Sequence, residues 1–253
     1  MKLRHIAVPV GFTAVAMLAA SACGAQGVTT AARAADKADL AALTRAANKT
    51  ENLGSAQVTM STETGAGRVT MDGTYSWGNG LAFDVKVDAR SVQMQALTKS
   101  AKIRMLVVGG DYYYDIDPQP SGSLKGKEWA KIDGSAVNGG PGFGGGSGSP
   151  LAYIKSLKIS GSVVDLGKET VNGQSTTHYR ASIDPSGANG SMTTDIWVNA
   201  QDLPVRIKQV SASATATTDY RSFGATASIQ APPAAETGSL TREVKRLQQQ
   251  RQG

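Results

Sequence analysis

Cysteine and histidine carry much of nucleophilic and metal chemistry, and this chain has almost none of either. Its 253 residues hold one Cys, Cys23, and two His, His5 and His178. A lone Cys excludes an intrachain disulfide, a CxxC redox pair and a cysteine-based zinc site. His5 falls in the leader described below, so any Ser-His-Asp or Cys-His arrangement would have to use His178. That residue sits in Thr176-Thr-His-Tyr179 inside a strand-like segment. A single His there reads as structural, and no HxH or HExxH spacing supplies partner ligands. Asp111, Asp115 and Asp117 share a parity next to a turn. Paired carboxylates can do acid/base work, and clustered ones can hold calcium. The Gly and distal Glu of an EF-hand are missing, and a solvated acidic edge is the plainer reading. Gly140-Pro-Gly-Phe-Gly-Gly145 matches GxGxxG only formally, because no buried strand precedes it and no helix follows. No nucleophile–base set remains. The chain reads as a non-enzyme with no cofactor and no metal.

The one cysteine has a different use. Met1-Lys-Leu-Arg-His5 is a short positive region, followed by an uncharged apolar run of 15 residues, Ile6 to Ala20. A transmembrane helix needs about 20 residues, so the run reads as the apolar core of a secretory signal. Ala19-Ala20-Ser21-Ala22 leads into Cys23-Gly24. This resembles a bacterial lipoprotein signal, in which the Cys thiol takes a diacylglyceryl group and becomes the new N-terminus. The usual Leu three residues before the Cys is Ala20 here. Ordinary secretion, with cleavage after an Ala-x-Ala site, is the alternative. Residues 24–36 are mostly small and read as a tether. The net charge is +6 with pI ≈ 9.4, and removing Lys2 and Arg4 with the leader leaves +4. The basic residues are spread thinly, which argues against nucleic acid.

The remaining segments position these residues. Asp36 or Asp39 can cap a helix to about Leu53, with Leu40, Leu43, Ala47 and Thr50 on one stripe. From Ser55 the apolar period becomes two. Val58 and Met60, then Val69 and Met71 with Tyr75, then Phe83, Val85 and Val87 alternate with polar neighbours. Asn79-Gly80 is the strongest hairpin signal. Further strands are expected at about 91–97, 102–108, 111–116, 159–166, 175–183, 192–199, 204–211 and 214–221. Such alternation predicts an antiparallel sheet with one wet face. Residues 134–150 are a glycine-rich loop by composition. Pro150 opens a short helix with Leu151, Ile154 and Leu157 on one face. From Gly238 the basic tail is predicted as a fraying, solvated end. A basic amphipathic helix touching anionic headgroups is its second reading.

Several motifs occur in order: Tyr112-Tyr-Tyr114 before Trp129-Ala-Lys-Ile132, Leu166-Gly-Lys-Glu-Thr-Val-Asn-Gly173, Thr177-His-Tyr-Arg-Ala-Ser-Ile-Asp184, Asp195-Ile-Trp-Val198 with Leu203-Pro-Val-Arg206, Tyr220-Arg-Ser-Phe-Gly224 and Ile229-Gln-Ala-Pro-Pro233. This series resembles the actinobacterial lipoproteins of the LppX/LprG type, related in fold to the LolA carrier and the RseB sensor. The resemblance implies an α+β fold: a strongly curved antiparallel half-barrel, with an N-terminal helix and short helix and loops over its concave face. Between them it implies an apolar cavity for acyl chains. The family's helical insertion after Asp184 is cut to Pro185-Ser-Gly-Ala-Asn-Gly190, and the glycine-rich loop replaces part of the cover.

These readings divide the chain into a lipoprotein signal (1–22), a tether (23–36), a LolA-like domain (37–235) and a basic tail (236–253). The expected function is lipid binding, with lipid transfer as its use, on the outer face of the cytoplasmic membrane. Met60, Met71, Phe83, Val85, Met94, Met105 and Ile154 are the expected ligand-facing residues, since Met adapts to irregular apolar ligands. Ordinary core filling is the competing reading for them. The partners would be a membrane lipid or lipidated molecule, the membrane itself and an unidentified envelope transporter. A cell-envelope sensor without a transported ligand is the alternative. Cys23→Ser is expected to leave an unprocessed precursor or release the protein to the medium. Fractionation and mass measurement check this, and normal membrane retention at unchanged mass would remove lipidation as the anchor.

Overall fold

A computed structural model describes residues 37–136, 149–152, 154, 162–183, 192–224 and 228–252. Helix α1 (Lys37–Leu53) buries Leu43, Ala46, Ala47 and Thr50 on one face. Gly54 stops it in the left-handed region, at φ +71°. The chain then turns repeatedly on itself. The first run is β1 (Ser55–Thr64), β2 (Gly67–Ser76), β3 (Ala82–Asp88), β4 (Lys102–Val108), β5 (Asp111–Asp115) and β6 (Trp129–Ile132). The second is β7 (Ser162–Val171), β8 (Gln174–Ile183), β9 (Met192–Asn199), β10 (Pro204–Val210) and β11 (Ala214–Phe223). A short β12 (Thr237–Ser239) and helix α2 (Thr241–Gln252) follow. Together the strands form one 12-stranded sheet in the order β12-β6-β5-β4-β3-β2-β1-β11-β10-β9-β8-β7. Each run is a meander, and the β1–β11 pairing joins them at the centre. All neighbours are antiparallel except β12 on β6.

Register makes the period-two pattern into continuous rows. On the face toward α1, Met60, Met71, Val87 and Ile103 lie opposite one another in turn. The next row is Val58, Gly73, Val85, Met105, Tyr114 and Ala130, and the next begins Ala56, Tyr75, Phe83, Val107. Gly73 is required there. A Cβ at that position would lie 2.2 Å from the Asp84 carbonyl oxygen, so β2 and β3 approach too closely for a side chain. The rows continue across the centre through Ile207, Ile196 and Tyr179, and beside them through Ala181 and Val163. These residues and α1 form one buried cluster. Each fully buried side chain of the size of Phe83 or Met71 contributes about 1.5–3 kcal/mol.

Several expectations are corrected. The sheet is open and not strongly curled. Bulges bend a sheet, and the recorded register shifts fall in β1–β11, β9–β10 and β7–β8, with none from β2 to β6. The strand expected at 91–97 is a turn-rich loop. Asp88 Oδ1 accepts the N–H groups of Arg90 and Ser91, and Gln93 sits at φ +61°, which holds the backbone away from a ladder. Asn79-Gly80 lies in a five-residue connection, 77–81, because Trp77 and Gly78 both donate to the Gly54 carbonyl. Asn172-Gly173 forms the tight two-residue hairpin instead, with both residues at positive φ. Residues 237–252 are not a free tail: β12 pairs with β6, and α2 packs on the adjoining turn. Cys23, the tether, residues 137–148 and Leu157 lie outside the described residues.

Candidate functional site

The seven expected ligand-facing residues come together. Met60, Met71, Phe83, Val85, Met94, Met105 and Ile154 all belong to the single cluster on the inner face and are 0–6% exposed. Five come from strands β1 to β4. Met94 comes from the loop after β3, and Ile154 follows Leu151 in a turn closed by the Ile154 N–H to Leu151 carbonyl bond (3.0 Å). The loop carrying Met94 is fixed by its own backbone. Met94 N–H donates to Ala89 O at 2.7 Å, Leu97 N–H to Met94 O at 2.9 Å, and Asp117 N–H to Leu97 O at 3.0 Å. Asp117 Oδ2 also accepts the Lys99 N–H at 2.7 Å. Asp111 instead binds Lys131 at 2.8 Å. Asp111 and Asp117 therefore have separate partners, and no three His, Cys, Asp or Glu among the described residues are placed to hold a metal.

An aromatic group closes the end of the site near Gly54. Tyr75 stacks on Phe83 (4.5 Å) and meets Trp77 edge-on (5.0 Å), and the Trp77 indole N–H donates to Thr50 O at 3.0 Å. Burial pushes the Tyr75 phenol well above its ordinary range and the Tyr114 phenol up to about 12. Both are neutral, so the wall carries no charge from them. Three buried hydroxyls, of Thr50 on α1, Ser149 and Thr194 on β9, make no hydrogen bond among the described residues. The arrangement can hold apolar chains and a few dipoles.

His178 lies on the opposite face of the sheet. Its ring stacks on Trp197 at 4.2 Å, directly across the β8–β9 pair. Nδ1 lies 2.9 Å from Glu169 Oε1 and Nε2 lies 3.0 Å from Asp195 Oδ1. Arg180 makes a two-pronged contact with Asp195, and the Trp197 indole donates to Glu169 Oε2 at 2.7 Å. The bond from Trp197, then that from His178, holds the Glu169 carboxyl below its usual range. Burial alone would raise Asp195, but the Arg180 and His178 bonds outweigh it and hold it low as well. Both ring nitrogens are engaged by carboxylates. The group is an ionic pin across β7, β8 and β9. Sequence reading found His178 as structural but missed its partners. The signal was the Asn172-Gly173 turn, which sets the register that puts Glu169 and Trp197 beside the ring.

No protein-family model matches the chain. It is 25% identical over 248 residues to an uncharacterised 31.2 kDa protein of Streptomyces griseus, covering 81% of this chain and 80% of that one. It is 28% identical over 140 residues to a Streptomyces coelicolor protein provisionally named a lipoprotein, covering 51% of this chain and 48% of the relative. Among solved structures, the Mycobacterium tuberculosis lipoprotein LppX aligns with TM-score 0.54 at 15% identity, over 78% of this chain and all of LppX. The chain has the fold of LppX. LprF of Mycobacterium bovis aligns with TM-score 0.50 at 12% identity, over 80% of this chain and all of LprF. The LppX-like fold agrees with the resemblance seen in the motifs from Tyr112 to Pro233.

The ionic pin yields a pH dependence. Glu169 and Asp195 are both held low in the fold, so their contribution to stability is present above the unfolded carboxyl range, about pH 4. It is lost as pH falls through the lowered values. Asp195→Asn is expected to cost about 1–3 kcal/mol at pH 7, with the gap to wild type closing below about pH 4. Denaturant titrations across pH check it, and a gap of constant size from neutral to acid would contradict it.

Proposed function

We propose that this protein is a membrane-anchored, extracytoplasmic lipoprotein that takes a lipid acyl chain between the inner face of its sheet and the elements covering that face. The observation that carries the reading is a mismatch of size. Twelve strands about 4.8 Å apart span roughly 50 Å, and the inner face is apolar from β6 to β8. Helix α1, 17 residues long, is only about 25 Å long and about 10 Å across. Among the described residues, the rest of the cover is the Met94 loop, short turns, Leu151 with Ile154, and Leu240 and Val244 at the start of α2. Such pieces can part from the sheet at a low cost in backbone pairing. A CH2 group leaving water gains about 0.8 kcal/mol, but it gains little in moving between two apolar surroundings. Uptake from a bilayer would therefore be reversible and would need no motor on this chain. The four buried methionines adapt to an irregular chain. The unbonded Thr50 and Thr194 hydroxyls could meet a lipid carbonyl.

The close burial of the same residues favours a second reading. Side chains that are 0–6% exposed are packed against protein, so a ligand has to displace part of the cover. A sensor module with a permanently closed core shows the same burial. Replacing Val85 by Trp separates the two. If the inner face opens to lipid, bound lipid falls while the melting temperature changes little. If the core is permanently closed, wild type carries no lipid and overpacking costs about 1–3 kcal/mol. Organic extraction with mass spectrometry, together with thermal melting of both proteins, gives the answer.

A further inference from the structure

We propose that the outward face of α2 is a second, electrostatic contact with an anionic bilayer, which turns one end of the sheet toward the membrane. The proposal rests on the anchored reading above. One side of α2 is pinned to the domain. Leu240 and Val244 pack against the core cluster. The Asp133 N–H donates to Thr241 Oγ1 at 3.0 Å, and the Gln248 side chain donates to Ala136 O at 2.7 Å. The opposite side is different. Arg242, Lys245, Arg246 and Gln249 follow the three- and four-residue spacing of one helical stripe and are all exposed. The three cations have no carboxylate partner among the described residues; exposed lysines of the sheet such as Lys86 and Lys102 also lack one, but these three stand together on one helix face, whereas Arg104, Lys131, Arg180, Arg206 and Arg221 are paired. The only acidic residue of the helix, Glu243, lies off the stripe. A rigid row of unpaired cations is complementary to anionic headgroups.

The position of the helix fits the anchor. α2 sits on the turn that follows β6. That end of the sheet also holds the β4–β5 hairpin and, through the row Ser55, Ser76, Ala82, Val108 and Asp111, the start of β1 where α1 ends. With this end toward the bilayer, Lys37 lies no more than the length of α1, about 25 Å, farther out. Residues 24–36 reach about 45 Å when extended. Two acyl chains on Cys23 would already retain the protein. The helix would set orientation, bringing the Gly54 end of the inner face to the lipid surface.

The test uses the full lipidated chain in vesicles. With Cys23 acylated, Gln249→Cys supplies the single free thiol for a fluorophore, and a quencher is carried on lipid headgroups. Quenching is expected to be at least about twofold stronger with about 30% phosphatidylglycerol than with phosphatidylcholine alone. About 0.5 M salt should abolish the difference, as should Arg242→Gln, Lys245→Gln and Arg246→Gln together. A label at Ala66→Cys, in the β1–β2 turn at the other end of the sheet, should not respond to lipid charge. Equal quenching at position 249 in both vesicles, or an equal response at position 66, overturns the contact. The anchored reading is scored separately by flotation: a chain that floats but shows equal quenching loses only the helix contact. A chain that floats with neither vesicle loses both.

Discussion

The apolar inner face of the sheet sets the terms for every other part of this molecule. Alternation from β1 to β11 places Val58, Met60, Met71, Phe83, Val85, Met105, Ile196 and Ile207 on one side, and that side must leave water. A closed barrel would bury it against itself, but here the sheet stays open between β12 and β7. The cover therefore comes from outside the sheet. One helix with small buried residues, Ala46 and Ala47, can lie close to the strands but spans only part of their width. Loops that would elsewhere be solvated are drawn in. The Met94 loop follows from this: its polar residues bond their own backbone while its apolar ones face the sheet.

The two faces divide the work. The inner face carries apolar bulk and neutral phenols. The outer face carries the charges, paired across neighbouring strands: Asp84 with Arg104, Asp219 with Arg206, and the Glu169–His178–Asp195–Arg180 group. Exposed pairs of this kind contribute little each, but they give every strand of the second meander a defined lateral partner. The pin at His178 is the exception in burial, with His178 and Asp195 side chains only 8% exposed. It is the polar group on this face whose loss should be felt most.

Much of the fold was legible because hairpins and parity are local. The inner positions from Val58 to Val87 and the extent of α1 follow from spacing and turn chemistry. The failures have two sources, local backbone chemistry and distant partners. The segment 91–97 alternates as a strand does, but Asp88 and a residue at positive φ outweigh that weak pattern. β12 is three residues long and pairs with a strand more than a hundred residues earlier, which no local signal announces. α2 looked like a fraying tail because its pinning partners, Asp133 and Ala136, are equally distant in sequence. The partners of His178 were readable only once the register of β7 on β8 was known.

Lipid binding by this protein requires the inner face to open. The most direct measurement is photocrosslinking: a lipid with a diazirine near the middle of one acyl chain is offered in vesicles to the full chain, and labelled peptides are mapped by mass spectrometry. An inner face that opens to lipid takes label on β1 to β4 and the Met94 loop, at or next to Met60, Met71, Val85, Met94 and Met105. Label confined to exposed surfaces, with these strands unmodified, would contradict it.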